Sequence, residues 1–266
     1  MFLRFTLLAL TILLFLNAES LAIHLNTTLN NSQLRQLLDS KKRYKGDSLR
    51  DIDRKPAKIL RFADIAQGDV VLDLYAGGGW YTELFSMAVG ENGRVYAHND
   101  HLTWRFGGRE LEARTKGNRL SNVVRLDEVG FDEMDVPNQS VDIAFMGINY
   151  HDLFFVDRIR KGKYERMRDD VVDHQETLES IKNKLKSSGI LIIIDHFAEP
   201  GSGYRAANDL HRIDPNIVKH QLDAAGFELQ EEAFYLRNPN DDLSKLVFDP
   251  SIRGKTSRFI YKFGKR

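Results

Sequence analysis

Three histidines and three aspartates gather behind two apolar runs of this 266-residue chain. Asn149-Tyr150-His151-Asp152 follows VDIAFMGI, and Asp195-His196 ends GILIIIDHF, with His211 and Asp214 soon after. Imidazole titrates near neutrality and accepts a proton when a nucleophile must be freed. Imidazole together with carboxylate is also a donor set for a divalent cation. A single such histidine usually only caps or packs; the group as a whole argues for chemistry. His151 and His196 are the leading base candidates, Asp195 is the carboxylate at the strand end, and His211 and Asp214 stand near a substrate. Their separation of three residues places those last two on one helical face if a helix runs through them. A metal remains an option, with no ligand assigned.

A second constellation is VVLDLYAGGGWYTELF, residues 70 to 85. An apolar run ends in Asp73, meets Gly77, Gly78 and Gly79, and becomes helical. Glycines at the end of a first strand let a ligand lie close to the backbone, while the following helix offers free N–H groups. The dinucleotide pattern G-x-G-x-x-G fits at Gly77 and Gly79 but fails at Thr82, and Asp73 is a poor neighbour for pyrophosphate. Arg253-Gly254-Lys255-Thr256 also falls short of a phosphate-binding Walker loop, whose first glycine is replaced by Asp249.

These residues need a frame. Apolar runs and helical spacings alternate from Pro56 onward: PAKILRFADI (helix), DVVLDLY (strand), WYTELFSMAV (helix, stopped by Gly90), GRVYAHN (strand), RELEARTK (helix), NVVRLDEV and VDIAFMGI (strands). A long charged segment resolves into a helix from about Asp169 to Lys186. GILIIIDHF, apolar on both faces, is a central strand. A helix over HRIDPNIVKHQLDAAG is interrupted or started by Pro215, and FELQEEAFYL and TSRFIYKFG close the chain as strands. The alternation predicts an α/β, doubly wound, mostly parallel sheet, with the last two strands paired antiparallel at one edge. Ligands of such sheets bind beyond the carboxyl ends of the strands, where both constellations lie.

Asp73-Leu74-Tyr75-Ala76-Gly77-Gly78-Gly79 resembles the first motif of class I S-adenosylmethionine-dependent methyltransferases, and Leu185-Lys186-Ser187-Ser188-Gly189 resembles the L-K-P-G-G before their fifth strand. RKPAKIL, AGGGWYTE, NYHD, DHF, HRID and IRGKTSRF together are similar to a group of predicted bacterial methyltransferases that carry signal peptides. The resemblance implies a seven-stranded Rossmann-like methyltransferase fold with an antiparallel last strand over residues 56 to 266. It implies S-adenosylmethionine as cofactor, held by Asp73, Tyr75, Gly77, Gly79, Asn99 and Asp127. In that pattern Asp73 would meet the ammonium of the methionine moiety, Asn99 or its neighbour Asp100 the ribose, and Asp127, ahead of Glu128, the adenine. Two positions depart from the pattern: Tyr75 replaces its first glycine, and Asn99 replaces the acid that ends the second strand. The NYHD stretch lacks the two prolines of the N-P-P-Y motif, so nucleic-acid amino methylation does not carry over.

Composition narrows the partners. Lysine plus arginine and aspartate plus glutamate number 38 each, so no global field favours nucleic acid or an anionic membrane; the expected substrate is a small molecule. There is no cysteine, which excludes disulfides and thiolate chemistry. Residues 1 to 22, an arginine followed by a short apolar run and a small-residue end, read as a signal peptide for export to the periplasm, an uncleaved anchor being the other reading. The run is shorter than the ~20 apolar residues of a membrane span. Residues 23 to 55 read as a polar lead-in whose KKRYK cluster is a solvated face. Export leads away from the cytosol, where S-adenosylmethionine is made. A non-methylating binding module and a metal-dependent enzyme on the same fold therefore stand as alternatives.

Overall fold

The computed structural model describes residues 28–160 and 162–266; the expected signal peptide lies outside them. Seven strands form one sheet in the order β3-β2-β1-β4-β7-β9-β8. They are β1 (Val70–Leu74), β2 (Arg94–Asn99), β3 (Val123–Asp127), β4 (Val141–Gly147), β7 (Leu185–His196), β8 (Phe227–Ala233) and β9 (Arg258–Lys265). Parallel pairing joins β3, β2, β1, β4 and β7, and β9 runs antiparallel between β7 and β8. The last pair therefore lies at one edge, as the missing helix between them requires.

Successive side chains of a strand point to opposite faces, so each central strand feeds two cores. Leu72, Leu74, Ala144, Met146, Leu191 and Ile193 pack on one side. Val71, Ile143, Phe145, Ile192 and Ile194 pack on the other, against α3 (Pro56–Phe62) and α4 (Trp80–Val89). The inner face of α4 includes Trp80, Tyr81 and Phe85, all buried. The two cores clamp the sheet, so the strand ends have fixed places from which the loops project.

Several elements differ from the sequence reading for local reasons. The helix after β2, α5 (His101–Thr115), starts eight residues before RELEARTK because the Asp100 side chain caps the Thr103 N–H at 2.8 Å. Gly107 and Gly108 mask it by lowering helical propensity. The charged segment contains a hairpin, β5 (Asp157–Arg160) with β6 (Lys163–Arg166), tied by the Arg158–Glu165 pair at 3.0 Å. It has no apolar alternation to reveal it. The helix α6 (His174–Lys184) begins only where Asp173 caps it, and Leu185 already belongs to β7. The expected common helical face of His211 and Asp214 does not form. His211 is the C-cap of α7 (Arg205–Leu210), in left-handed backbone at φ 52°, while Asp214 is the N-cap of α8 (Pro215–Ala224).

The lead-in is tied to the domain. Its helices are α1 (Asn31–Leu38), which buries Leu34 and Leu37, and the short α2 (Asp51–Arg54). Between them Asp47 enters a buried ion network. The fully buried Arg114 guanidinium meets Asp47 at 2.6 Å, Glu110 at 2.9 Å and Glu83, and Arg119 meets Glu83 at 2.6 Å. A buried cation is tolerated only when so matched. Within KKRYK the lysines are exposed, whereas Arg43 pairs with Asp51 and Tyr44 lies under Arg114. None of the helices among the described residues is long and apolar enough to cross a membrane.

Candidate active site at the carboxyl rim of the sheet

The glycine turn is built by close approach. Gly79 has φ 78° as the N-cap of α4, and Gly107 lies so near that an added Cβ would stand 2.3 Å from the Gly77 carbonyl carbon. Helix α5 therefore packs onto the turn through glycine. Asp73, the penultimate residue of β1, is buried and accepts a hydrogen bond from the Thr82 hydroxyl at 2.6 Å. Burial pushes its carboxyl from 3.8 up to about 7, against the Thr82 hydrogen bonds and the nearby charge of Arg54.

Tyr75 occupies the place of a glycine in conformation as well as in sequence, with φ 52°. Its buried ring stacks on His98 and meets Phe131 edge-on. The phenol donates to Asp100 at 3.0 Å, and Arg168, beyond β6, donates to the same carboxylate oxygen at 3.0 Å. Asn99 is completely buried. Its amide oxygen accepts from Gly77 N–H at 2.8 Å and its amide nitrogen donates to the Gly77 carbonyl at 3.1 Å. The Asn99 side chain thus holds the turn from the end of β2. Asp127 pairs across to Asn99 in register. One of its oxygens meets Arg125 at 3.0 Å; the other is buried without a partner. Asp127 also lines a groove of about 750 Å³ along α5 and the edge strand, with Arg109, Glu112 and Arg125.

The second constellation closes around Asp195, at the end of β7. Its fully buried carboxylate accepts the His151 backbone N–H and Nδ1–H, both at 2.8 Å, and the His196 N–H at 2.7 Å. The Nδ1 bond fixes His151 with Nε2 turned outward, 3.3 Å from Asp152 Oδ1 and 3.2 Å from His211 Nδ1. Burial alone would lower His151, but the charges of Asp195 and Asp152 outweigh it and lift the ring to about 9. Asp152 responds in the opposite sense: burial raises it, and the His151 charge and the His211 contact bring it down to about 2. Asn149 donates to the second Asp152 oxygen at 2.9 Å. The Asp195 and Asp152 carboxylates strengthen the hold of His151 on its proton.

His196 lies beside His151, ring centres 5.9 Å apart, yet is bound to the Thr256 hydroxyl at 2.6 Å. Burial and the charges of Arg258 and His151 keep it neutral. Asp214 is spent on structure, accepting Asn216 N–H and Gly201 N–H. His151, Asp195 and His211 thus come together, with Asp152 added, while His196 adjoins them and Asp214 does not.

No protein-family model matches the chain, and no curated protein matches it in sequence. Solved structures do match in shape. A SAM-dependent methyltransferase from Aquifex aeolicus superposes with a TM-score of 0.52 at 20% identity, covering 88% of this chain and 98% of the other. A geranyl diphosphate methyltransferase in complex with SAM gives 0.55 at 10% identity, covering 87% and 95%. An S-adenosylmethionine dependent methyltransferase from Mesorhizobium loti gives 0.51 at 13% identity, covering 79% and 97%. The fold is the Rossmann-like methyltransferase fold.

Within the methyltransferase fold, Arg54 is the residue that sequence patterning missed. It comes from the lead-in, and its guanidinium lies 4.7 Å from the Trp80 ring centre and 5.5 Å from that of Tyr81. Among the described residues it makes no ion pair, and burial lowers its affinity for its proton. An unmatched cation near a buried carboxyl that resists ionising suits a zwitterion. The orphaned Asp127 oxygen likewise suits an amine donor. Left-handed backbone at Tyr75, Glu128, Ile148 and His211 lies around the same rim. For the β-branched Ile148, φ 69° is strain of order 1–3 kcal/mol, held by the Ile148 N–H to Ile194 carbonyl bond.

Proposed function

We propose that the chain is an S-adenosylmethionine-dependent methyltransferase acting on a small-molecule acceptor, exported by its first 22 residues. The observation that carries the reading is the buried Asp73 carboxyl at the glycine turn of this fold, with the Arg54 charge acting on it from over Trp80 and Tyr81. A methionine moiety brings an ammonium for Asp73 and a carboxylate for Arg54. Gly77 and Gly79 offer backbone that the adenosine can approach, and the free Asp127 oxygen offers an acceptor for the adenine amino group. Asn99 serves the cofactor indirectly, by fixing the turn. Asp100, the residue after Asn99, is a carboxylate at this strand end, held by Tyr75, Arg168 and Thr103.

When bound, the cofactor supplies an electrophilic methyl group. The chain's task is then mostly alignment. Tyr75 narrows the space beside the turn, and Ile148 and Asn149 bring the His151 cluster to the end of the strand next to β1. Among the acceptor-facing groups, Asp152 and His211 are the ones that reach solvent, with side chains 16% and 14% exposed. An acceptor hydroxyl at this edge would pass its proton to the His211 imidazole as the hydroxyl oxygen takes the methyl group.

Calorimetric titration of the chain with S-adenosylmethionine and, separately, S-adenosylhomocysteine tests the reading. Binding near micromolar, about 8 kcal/mol, supports it. A folded chain that binds neither would overturn it. The buried Tyr75 ring and the spent Asn99 amide favour a second reading, a binding module that no longer transfers methyl groups. Cofactor bound without turnover on any acceptor panel would support that one.

A further inference from the structure

His151 Nε2, Asp152 Oδ1 and His211 Nδ1 form a triangle with edges of 3.2, 3.3 and 3.6 Å. The residues come from two separate places, the turn after β4 and the αL corner between α7 and α8. As charge-assisted hydrogen bonds the two imidazole–carboxylate contacts are long. Charge-assisted pairs run at about 2.7–2.9 Å, and here both imidazole–carboxylate approaches are longer. Metal ligation has a different spacing. Bonds of about 2.0–2.2 Å hold ligand atoms roughly 3.0–3.5 Å apart around one ion. The triangle has that size, and these three residues can hold an ion together.

The surroundings are those of a metal centre. Asp195 accepts His151 Nδ1–H and leaves Nε2 to face the triangle, an arrangement that orients a ligating imidazole. Asn149 does the same for Asp152. His211 is locked by its backbone at φ 52° and by the rings of Phe155 and Phe248, 4.4 and 4.9 Å away. Its side chain and that of Asp152 remain partly exposed, so one side of the triangle is open to a further ligand.

We infer that His151, Asp152 and His211 bind a single divalent transition metal, with Asp195 and Asn149 as the groups that aim the ligands. Two imidazoles and one carboxylate suit zinc, iron(II) or manganese(II), whereas calcium and magnesium seek oxygen. Three protein ligands leave coordination positions open, as in catalytic rather than structural centres. An acceptor oxygen fits there, and the metal takes over its activation. That use rests on the methyltransferase reading; the metal site does not.

The test is titration of the chelator-stripped full chain with zinc chloride, followed by calorimetry in the absence of S-adenosylmethionine. Cobalt(II) chloride provides a second readout through its visible absorption. The expected result is one equivalent of zinc, weakened at least about 100-fold in His211→Gln and in Asp152→Asn, and by about 10- to 100-fold in Asp195→Asn. Circular dichroism identifies variants that stay folded. His211→Gln, at the solvent edge, is the one least tied to the core. No stoichiometric zinc in the folded parent chain overturns the proposal. So does zinc affinity unchanged in both ligand variants, or magnesium chloride bound as tightly as zinc. Zinc bound by a chain that ignores S-adenosylmethionine would sink the methyltransferase reading and leave the metal site standing.

Discussion

The amide of Asn99 grips Gly77 from both sides, accepting its N–H at 2.8 Å and donating to its carbonyl at 3.1 Å. One side chain at the end of β2 thereby sets the position of the glycine turn at the end of β1. An amide suits this task at neutral pH, since it offers a donor and an acceptor in one plane without a charge.

Asn99→Asp, which restores the acid of the methyltransferase motif, is therefore expected to harm the protein. It removes the donor to Gly77 and sets a buried carboxylate against a carbonyl, costing about 1–3 kcal/mol. Urea denaturation reads the loss, and cofactor titration should weaken with it. Unchanged stability with tighter binding would show that Asn99 meets the ribose.

Tyr75 makes a sharper comparison possible. Its buried ring is worth about 3–5 kcal/mol on truncation to alanine, while left-handed backbone costs a residue with a Cβ about 1–2 kcal/mol. Tyr75→Gly loses the ring and also the strain. It should be more stable than Tyr75→Ala by about 1 kcal/mol, visible in the denaturation midpoints. The reverse order would mean that the backbone at φ 52° is not strained.

The same two residues show how far the sequence could be read. The alternation of apolar runs was legible because period-two strands and period-3.6 helices have different spacings, and Asp73 with its glycines stood out by composition. That Tyr75 adopts glycine's conformation, or that Asn99 turns inward to Gly77, depends on contacts between strands distant in the chain. The hairpin Asp157–Arg166 was hidden because both faces are charged. Arg54 was hidden because nothing local distinguishes an arginine at a short helix end. His211 and Asp214 were misplaced on one helix because Pro215 starts a helix rather than bending one, and Asp214 caps it. Asp152 stood in the group from the start, but its approach to His151 and His211 depends on the turn after β4, which folds the side chains together.

Stability should depend on pH through Asp73. Its carboxyl ionises at about 7 in the folded chain instead of 3.8, so the folded state holds the proton longer. Stability from this group is greatest below about pH 4, falls as pH rises to about 7, and is level beyond; the full span is of order 4 kcal/mol. Asp73→Asn removes the slope. The variant should be more stable than the parent at pH 8 and lose more than half of that advantage by pH 5, in urea melts at both values. Thr82, Arg54 and Tyr81 face the carboxyl and are common to both chains. A parent-to-variant difference that does not change with pH would show that Asp73 ionises normally. An incoming ammonium favours the carboxylate, so cofactor binding near pH 6.5 should release a proton, measurable by calorimetry in buffers of different ionisation enthalpy.

Arg54 separates a binding role from a structural one. Its guanidinium makes no ion pair among the described residues and rests on Trp80 and Tyr81, so its charge gains a cation–π attraction of about 1 kcal/mol that is set against the cost of its burial. Arg54→Met keeps the stem on those rings and removes the cation. Stability should hold or rise, because an unmatched, desolvated charge is lost. Affinity for S-adenosylmethionine should drop about 10- to 100-fold, or about 1.4–2.7 kcal/mol, because the carboxylate loses its partner. 5′-Methylthioadenosine carries the same adenosine and thioether without the amino-acid end. It should bind parent and variant alike. An equal loss for both ligands would mean that Arg54 shapes the cleft without touching the carboxylate, and the orientation of the cofactor along β1 would have to be reversed or abandoned.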